Sequence, residues 1–328
     1  MASYPKVRLR RLRQSENTRK MFGGTRPSPD KFIWPVFVVD GTNKQIPIKS
    51  LSGQFRYSVD MLQKTLEGVA KIGIGGVMIF GVVENSSIKS FDGSYAHDDE
   101  GTVQRAVKMI RANFPHLLVC TDVCLCGYTT HGHCGIIGRD GSIKNDETIE
   151  ALAKIALSHA AAGANCVSPS AMMDGQVHAI REVLDETYLE DTLIMSYSTK
   201  FASSMYGPFR EASDCSASFG DRKTYQLPYN CYRQAIRESI FDEKEGADIL
   251  MVKPSLFYLD IIAKLTKKTH LPIAAFNVSG EYSMIHASAA AGYGDLKEMA
   301  RESLASIFRA GSDIVISYWA NQYNDLYK

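Results

Sequence analysis

Asp248-Ile249-Leu250-Met251-Val252-Lys253-Pro254 runs four apolar residues into a lysine and then stops at a proline. An apolar run without alternation predicts a parallel strand buried on both faces, here ending at Lys253. An amine at that point lies against apolar neighbours, where an ammonium is poorly solvated. Desolvation favours the neutral amine, and a neutral amine is a nucleophile toward carbonyl carbon. Considered alone, such a lysine more often reaches out to water or pairs with a carboxylate. A second lysine, Lys200, follows another apolar run, Leu193-Ile194-Met195-Ser196-Tyr197-Ser198, and the pair turns the reading toward chemistry.

Outward from this stretch the chain alternates with regular spacing. Strands are predicted at 32–39, 75–80, 117–123, 165–168, 193–198, 248–253, 273–278 and 313–318. Helical periodicity fills the intervals at 58–72, 102–113, 146–162, 176–184, 231–245, 256–267 and 281–308, the last interrupted near Gly292 and Gly294. The helix-to-strand joints Gly163-Ala164-Asn165, Gly246-Ala247-Asp248 and Gly311-Ser312-Asp313 share one pattern, with glycine suited to the end of a helix. Eight β-then-α passes predict an α/β fold of the (β/α)8 TIM-barrel type over 32–328. A doubly wound open sheet is the alternative. It would bring a glycine-rich phosphate loop after its first strand, and Asp40-Gly41-Thr42-Asn43-Lys44 is not one.

Residues 1–31 precede this pattern as an extended N-terminal arm. Over residues 6–20, Lys6, Arg8, Arg10, Arg11, Arg13, Arg19 and Lys20 oppose one acid, Glu16. A basic run of this kind fits nucleic acid, a transit peptide or a solvated arm making subunit contacts, and the last is the expectation. The chain as a whole, 328 residues with 45% hydrophobic content and a net charge of +1, carries no field that points to nucleic acid or a membrane. No apolar run is long enough for a membrane span, and the first residues lack the apolar core of a secretory signal. Seven cysteines, an odd and clustered set, argue against a disulfide framework and for a reducing cytoplasm.

In a barrel of this type the site lies where the strands end. Lys253 and Lys200 then share one mouth, and their mutual repulsion lowers at least one pKa further. Asp122, Ser168, Ser279 and Tyr318 fall at strand ends on the same rim, where each is also an ordinary cap or turn residue. After the third strand, Cys124, Cys126 and Cys134 make a C-x-C-x7-C spacing. Thiolates suit zinc, and three ligands leave a fourth position open for water or substrate. His131 and His133 lie close enough in sequence to complete a closed structural site instead. The polar segment 203–229 holds Arg210, Asp221, Arg222 and Lys223 among Tyr206, Phe209 and Phe219, and is expected to act as an active-site lid. Two lysines and a thiolate metal site describe an enzyme that condenses two carbonyl substrates through Schiff bases.

Several motifs carry a closer likeness: Asp122-Val123-Cys124-Leu125-Cys126, His131-Gly132-His133-Cys134-Gly135, Ser196-Tyr197-Ser198-Thr199-Lys200-Phe201-Ala202, Tyr206-Gly207-Pro208-Phe209-Arg210, Gly220-Asp221-Arg222-Lys223-Thr224-Tyr225-Gln226, Met251-Val252-Lys253-Pro254 and Val278-Ser279-Gly280-Glu281-Tyr282. With these, nearly the whole chain resembles the porphobilinogen synthase (5-aminolevulinate dehydratase) family. The resemblance implies a lyase that condenses two 5-aminolevulinate molecules to porphobilinogen with loss of two waters, in tetrapyrrole synthesis. It implies Lys253 as the Schiff-base lysine of the first substrate and Lys200 as that of the second. Asp122 and Ser168 are implied around the amino group and in proton transfer. Ser279 and Tyr318 would bind one carboxylate, and Arg210, Lys223 and Gln226 the other. Zinc would be held by Cys124, Cys126 and Cys134, and an activating magnesium at Glu238. No organic cofactor is implied, and the assembly implied is a homo-octamer clasped by N-terminal arms. Gly127 departs from the proline usual after the second cysteine.

Two other readings remain at this point. A class I aldolase-type lyase needs only one catalytic lysine. A zinc-binding scaffold without turnover needs a closed four-ligand site, whose loss unfolds the chain.

Overall fold

The computed structural model describes residues 3–25 and 27–328. Eight strands follow one another around a closed ring: Phe32–Val39 (β1), Gly76–Val82 (β2), Leu118–Val123 (β3), Cys166–Pro169 (β4), Leu193–Lys200 (β5), Ile249–Lys253 (β6), Ile273–Asn277 (β7) and Ile314–Ser317 (β8). Each pairs in parallel with the next, and β8 returns to β1 through Phe32 opposite Val315 and Ile33 opposite Ile316. The expected TIM barrel is therefore present. Every residue of β1 and of β6 is buried, because the strands are covered inside by the barrel core and outside by helices.

The covering helices are Val59–Val69 (α1), Thr102–Asn113 (α2), Asn145–Ala161 (α3), Gln176–Glu186 (α4), Tyr232–Lys244 (α5), Leu259–Leu265 (α6), Ser279–Ala290 (α7) and Leu296–Ala310 (α8). Their apolar faces supply Leu62 and Leu66, Val107 and Ile110, Leu152 and Ile155, and Leu304 and Ile307 to the layer against the strands.

The recurring joint before alternate strands has a physical reason. Gly163 and Gly246 end helices at φ of 105° and 103°, where glycine alone is free of strain. The acid or amide two residues later then serves the neighbouring strand. Asn165 Oδ1 accepts from Val119 N–H at 3.0 Å, Asp248 from Ile194 N–H at 2.7 Å and Asp313 from Ile273 N–H at 2.9 Å. Each bond satisfies a strand-entry donor that has no ladder partner.

Three details differ from the sequence expectation. β5 continues two residues beyond Ser198, so Lys200 is its last residue rather than a loop residue beyond it. A register shift between Ser196 and Thr199 accompanies this extension. The predicted helix 256–267 begins as a 3-10 turn, Leu256–Tyr258, before α6. A hairpin of two three-residue strands, Gln45–Pro47 and Phe55–Tyr57, sits beside β1 and was not expected.

Of the arm, Met1, Ala2 and Arg26 lie outside the described residues. The rest forms a 3-10 turn, Leu9–Arg13, and a helix, Glu16–Phe22, neither of which buries a residue. Tyr4, Leu9 and Met21 are each 75% exposed. Among the described residues no helix is long and apolar enough to cross a membrane.

Candidate active site at the barrel mouth

Lys200 and Lys253 are register partners at the ends of β5 and β6. Both are buried. The Lys253 amine is ringed by Phe276, Tyr197, Phe209, Tyr206 and Phe80, whose centroids lie 4.0 to 5.8 Å away. Burial among these rings, and then the charge of Lys200, lower its pKa to about 7, against a weaker pull from Asp122. The Lys200 amine has a different setting, donating to the Ser170 carbonyl at 2.6 Å.

Asp122 on β3 and Ser168 on β4 are register partners beside the lysines. Asp122 Oδ1 is sealed from solvent with no hydrogen-bond partner among the described residues. Burial raises its pKa, while Lys200 and Lys253 hold it down. Tyr318 follows β8, and its hydroxyl is likewise buried and unpartnered among the described residues. Ser279 opens α7. Its Oγ accepts from Phe209 N–H at 3.0 Å and is 3.3 Å from the Met205 carbonyl, to which it donates.

Those last contacts belong to the segment 203–229, which folds over the mouth. It contains a 3-10 turn, Ser204–Tyr206, and a short helix, Gly207–Ser213, started by Pro208 and ended by Asp214 at φ 48°. Two cations tie the end of this helix down. Arg56 donates through Nε to Ala212 O at 2.8 Å and through Nη2 to Glu211 O. Lys89 Nζ meets both the carbonyl and the carboxylate of Asp214 at 3.1 Å. In this closed arrangement the cavity between the lysines is about 20 Å³, lined by Asp122, Cys126, Lys200, Phe209, Arg222 and Lys253 among others. That is room for about one water, so Tyr206 and Phe209 must move to admit a substrate.

Within the same segment, Arg210, Arg222, Lys223 and Gln226 line a pocket of about 600 Å³. Gln226 Nε2 is buried there with no partner among the described residues. Lys223 points outward, its side chain 77% exposed and paired with Asp221 at 3.1 Å. Arg222, named in the sequence only as one of the charges of segment 203–229, lines both the inner cavity and this pocket. It donates to Gly132 O at 2.8 Å, joining segment 203–229 to the cysteine loop, and also to Cys215 O. Its neighbour Lys223 carries the same charge, so only the fold distinguishes them.

Cys124, Cys126 and Cys134 are buried, with their sulfurs all within 4.8 Å of one another. Cys124 and Cys126 Sγ are 3.4 Å apart. Hydrogen bonds from Cys124 and Cys126, then the charge of Arg222, lower the Cys134 pKa well below the ordinary thiol value. Three convergent sulfurs are a donor set that fits a thiophilic metal ion. His131 and His133 are engaged elsewhere, with Phe91 O at 3.1 Å and with Phe219 O at 2.9 Å and Tyr225 OH at 3.1 Å. A closed site including a histidine is not assembled among the described residues.

Glu238, on α5, lines a pocket with Asp174, Asp242 and Glu245, and also a cavity of about 960 Å³ that Lys223 and Gln226 share. Burial and then Asp174 raise its pKa.

Comparison with known proteins bears on this arrangement. The family model described as delta-aminolevulinic acid dehydratase matches residues 6–326. The delta-aminolevulinic acid dehydratase of Archaeoglobus fulgidus is 48% identical over 98% of this chain and 98% of its own. That of Escherichia coli is 47% identical over 95% of each chain. Among solved structures, delta-aminolevulinic acid dehydratase (porphobilinogen synthase) from Toxoplasma gondii, in complex with the reaction product porphobilinogen, superposes with a TM-score of 0.94. That match is at 41% identity and covers 97% of this chain and 91% of the other. The chain therefore belongs to the delta-aminolevulinic acid dehydratase family, lyases that make porphobilinogen.

Proposed function

We propose that this chain joins two 5-aminolevulinate molecules into porphobilinogen, with two waters lost, using Lys253 and Lys200 as paired amine nucleophiles. The observation that carries this reading is the register pairing of the two lysines, with the Lys253 amine desolvated among aromatic rings. A one-lysine aldolase leaves the second buried amine without a role.

Near neutral pH a large share of Lys253 is the free amine. It adds to the ketone carbon of the first substrate, and the carbinolamine loses water to give an iminium. Lys200 does the same for the second substrate once its bond to Ser170 O is exchanged. An iminium acidifies the adjacent carbon. Asp122, whose free Oδ1 faces this space, is positioned to take that proton and to return it to a leaving hydroxyl. Ser168, its register partner, orients the substrate amino group. Closing the ring forms one carbon–carbon and one carbon–nitrogen bond and releases both lysines as amines, the two ketone oxygens having already left as water when the iminium ions formed.

Ser279 and the unpartnered Tyr318 hydroxyl are suited to the carboxylate of the first substrate. Ser279 must first release its lid contacts. For the second carboxylate, Arg210, Gln226 and Arg222 face the pocket, and Lys223 adds attraction at its rim. Cys124, Cys126 and Cys134 would hold zinc, which supplies a Lewis acid for the second substrate's carbonyl or amine. Glu238, grouped with Asp174, Asp242 and Glu245 in one pocket, is the proposed magnesium position. The exposed apolar residues of the arm, Tyr4, Leu9, Leu12 and Met21, are proposed to pack on neighbouring copies in a homo-octamer.

The test is direct. Protein supplied with 5-aminolevulinate and zinc is expected to accumulate porphobilinogen, detected by its mass and pyrrole chromophore. Folded, zinc-loaded protein that yields none would overturn the reading.

A further inference from the structure

Glu281 is wholly buried and forms no ion pair among the described residues. A carboxylate in that state is costly unless hydrogen bonds replace its water. Here five do. Oε1 accepts from Ser255 N–H at 3.0 Å and Leu256 N–H at 2.6 Å. Oε2 accepts from Ser255 Oγ at 3.0 Å, Asn277 Nδ2 at 3.1 Å and Val278 N–H at 2.8 Å. The Val278 bond is half of a capping box at the start of α7, and valine has no side-chain oxygen to return it.

The donors come from two loops that matter. Ser255 lies two residues after Lys253, and Val278 immediately precedes Ser279. Asn277 extends the network, since its Oδ1 accepts from Ser317 Oγ at 2.9 Å. Ser317 Oγ in turn accepts from Trp319 N–H at 3.2 Å, so the two residues flanking Tyr318 are fixed as well. One buried carboxylate thus links the ends of β6, β7 and β8.

We propose that Glu281 is a positioning residue for the reaction, holding Lys253, Ser279 and Tyr318 in a single arrangement around the first substrate. The inference rests on the assignment of those three residues to that substrate. The arrangement specifically needs a carboxylate. All five partners donate, and four of them are N–H groups unable to accept, whereas an ionised carboxylate is acceptor-only. Glutamine keeps the shape but turns an NH2 group toward N–H donors. Burial pushes the Glu281 carboxyl up to about 7, while the hydrogen bonds from Leu256, Val278 and Ser255 act in the opposite direction.

The experiment compares Glu281→Gln, Ser255→Ala and Ser317→Ala with the unaltered enzyme. Turnover per folded molecule is read alongside the rate of borohydride-trapped adduct on Lys253 with 5-aminolevulinate. A displacement of the amine by a fraction of an ångström predicts at least about a tenfold slower adduct and lower kcat in Glu281→Gln. Ser255→Ala, which loses one bond on the Lys253 side, shares this effect to a lesser degree. Ser317→Ala, which frees only the Tyr318 side, instead raises KM and leaves the adduct rate at saturating substrate unchanged.

A folded Glu281→Gln with an unaltered adduct rate and kcat overturns the inference, because a merely structural residue changes melting temperature alone. If Glu281→Gln does not fold, unaltered kcat and KM in both serine variants overturn it equally. Absence of any Lys253 adduct in the unaltered enzyme overturns the Schiff-base reading itself, and the inference with it.

Discussion

Lys200 and Lys253 occupy paired positions on β5 and β6, yet their amines meet opposite surroundings. One donates to a carbonyl 2.6 Å away, while the other stands among five aromatic rings. Two chemically identical side chains are thereby made different. Burial and the charge of Lys200 shift the ringed amine toward its neutral form.

That shift has a consequence for stability. The Lys253 pKa is lower in the folded chain than in the unfolded one. Between about 7 and 10.5 the unfolded chain binds the extra proton, and stability rises with pH through that window. Below the window the burial cost is fully present, and above it the cost is gone. Lys253→Met, which keeps the length and removes the charge, should gain on the order of 5 kcal/mol at pH 6 and nothing above pH 10.5. Denaturant melts at both pH values check this, with turnover abolished at either. An equal gain at both would mean that charge burial is not the cause.

The three sulfurs make a prediction about metal. Chain dialysed against zinc should retain about one ion, as counted by mass spectrometry, and Cys134→Ser should retain far less. Chelation should stop turnover without unfolding the barrel, since the cluster leaves a position open rather than closing a structural site. Melting of the barrel on chelation would instead indicate a structural ion.

Arg222 and Lys223 are adjacent and alike in charge, but only Arg222 reaches the inner cavity. Arg222→Ala should lower kcat/KM by about 30-fold or more, the size of a lost charge-assisted hydrogen bond. Lys223→Ala, removing an exposed charge, should cost less than about threefold. Steady-state kinetics of the two variants decide the matter, and the reverse order would contradict the geometry.

The lid latch should be separable from the chemistry. Arg56→Met removes the donors to Glu211 and Ala212 outside the barrel mouth. Loss of hydrogen bonds from a charged donor should shift the lid toward the open form by about tenfold. Limited proteolysis within 203–229 should accelerate accordingly, and KM should rise. Unchanged cleavage would show that Arg56 does not hold the lid.

The barrel was legible because β1 and β6 have two buried faces, which leaves an apolar run without gaps. Cys124, Cys126 and Cys134 were legible because three sulfurs in one loop have few alternative uses. The two strands of the hairpin beside β1 were not, since three residues carry too little periodicity to register. The pairing of Lys200 with Lys253 depends on an irregularity in β5 that spacing does not disclose. Arg222 and Glu281 are residue types usually found in water, and only tertiary structure turns them inward. The motif containing Glu281 was visible in the sequence, but the loops that donate to it come from separate strands.

The central claim is that Lys253 is the amine that captures substrate. The most direct measurement is to incubate the protein with 5-aminolevulinate, reduce with borohydride and map the modified peptides by mass. The account predicts a substrate adduct on Lys253, with a second on Lys200 as substrate accumulates, and no Lys253 adduct in the Met variant. Folded protein that turns over substrate yet carries no adduct on either lysine would contradict it.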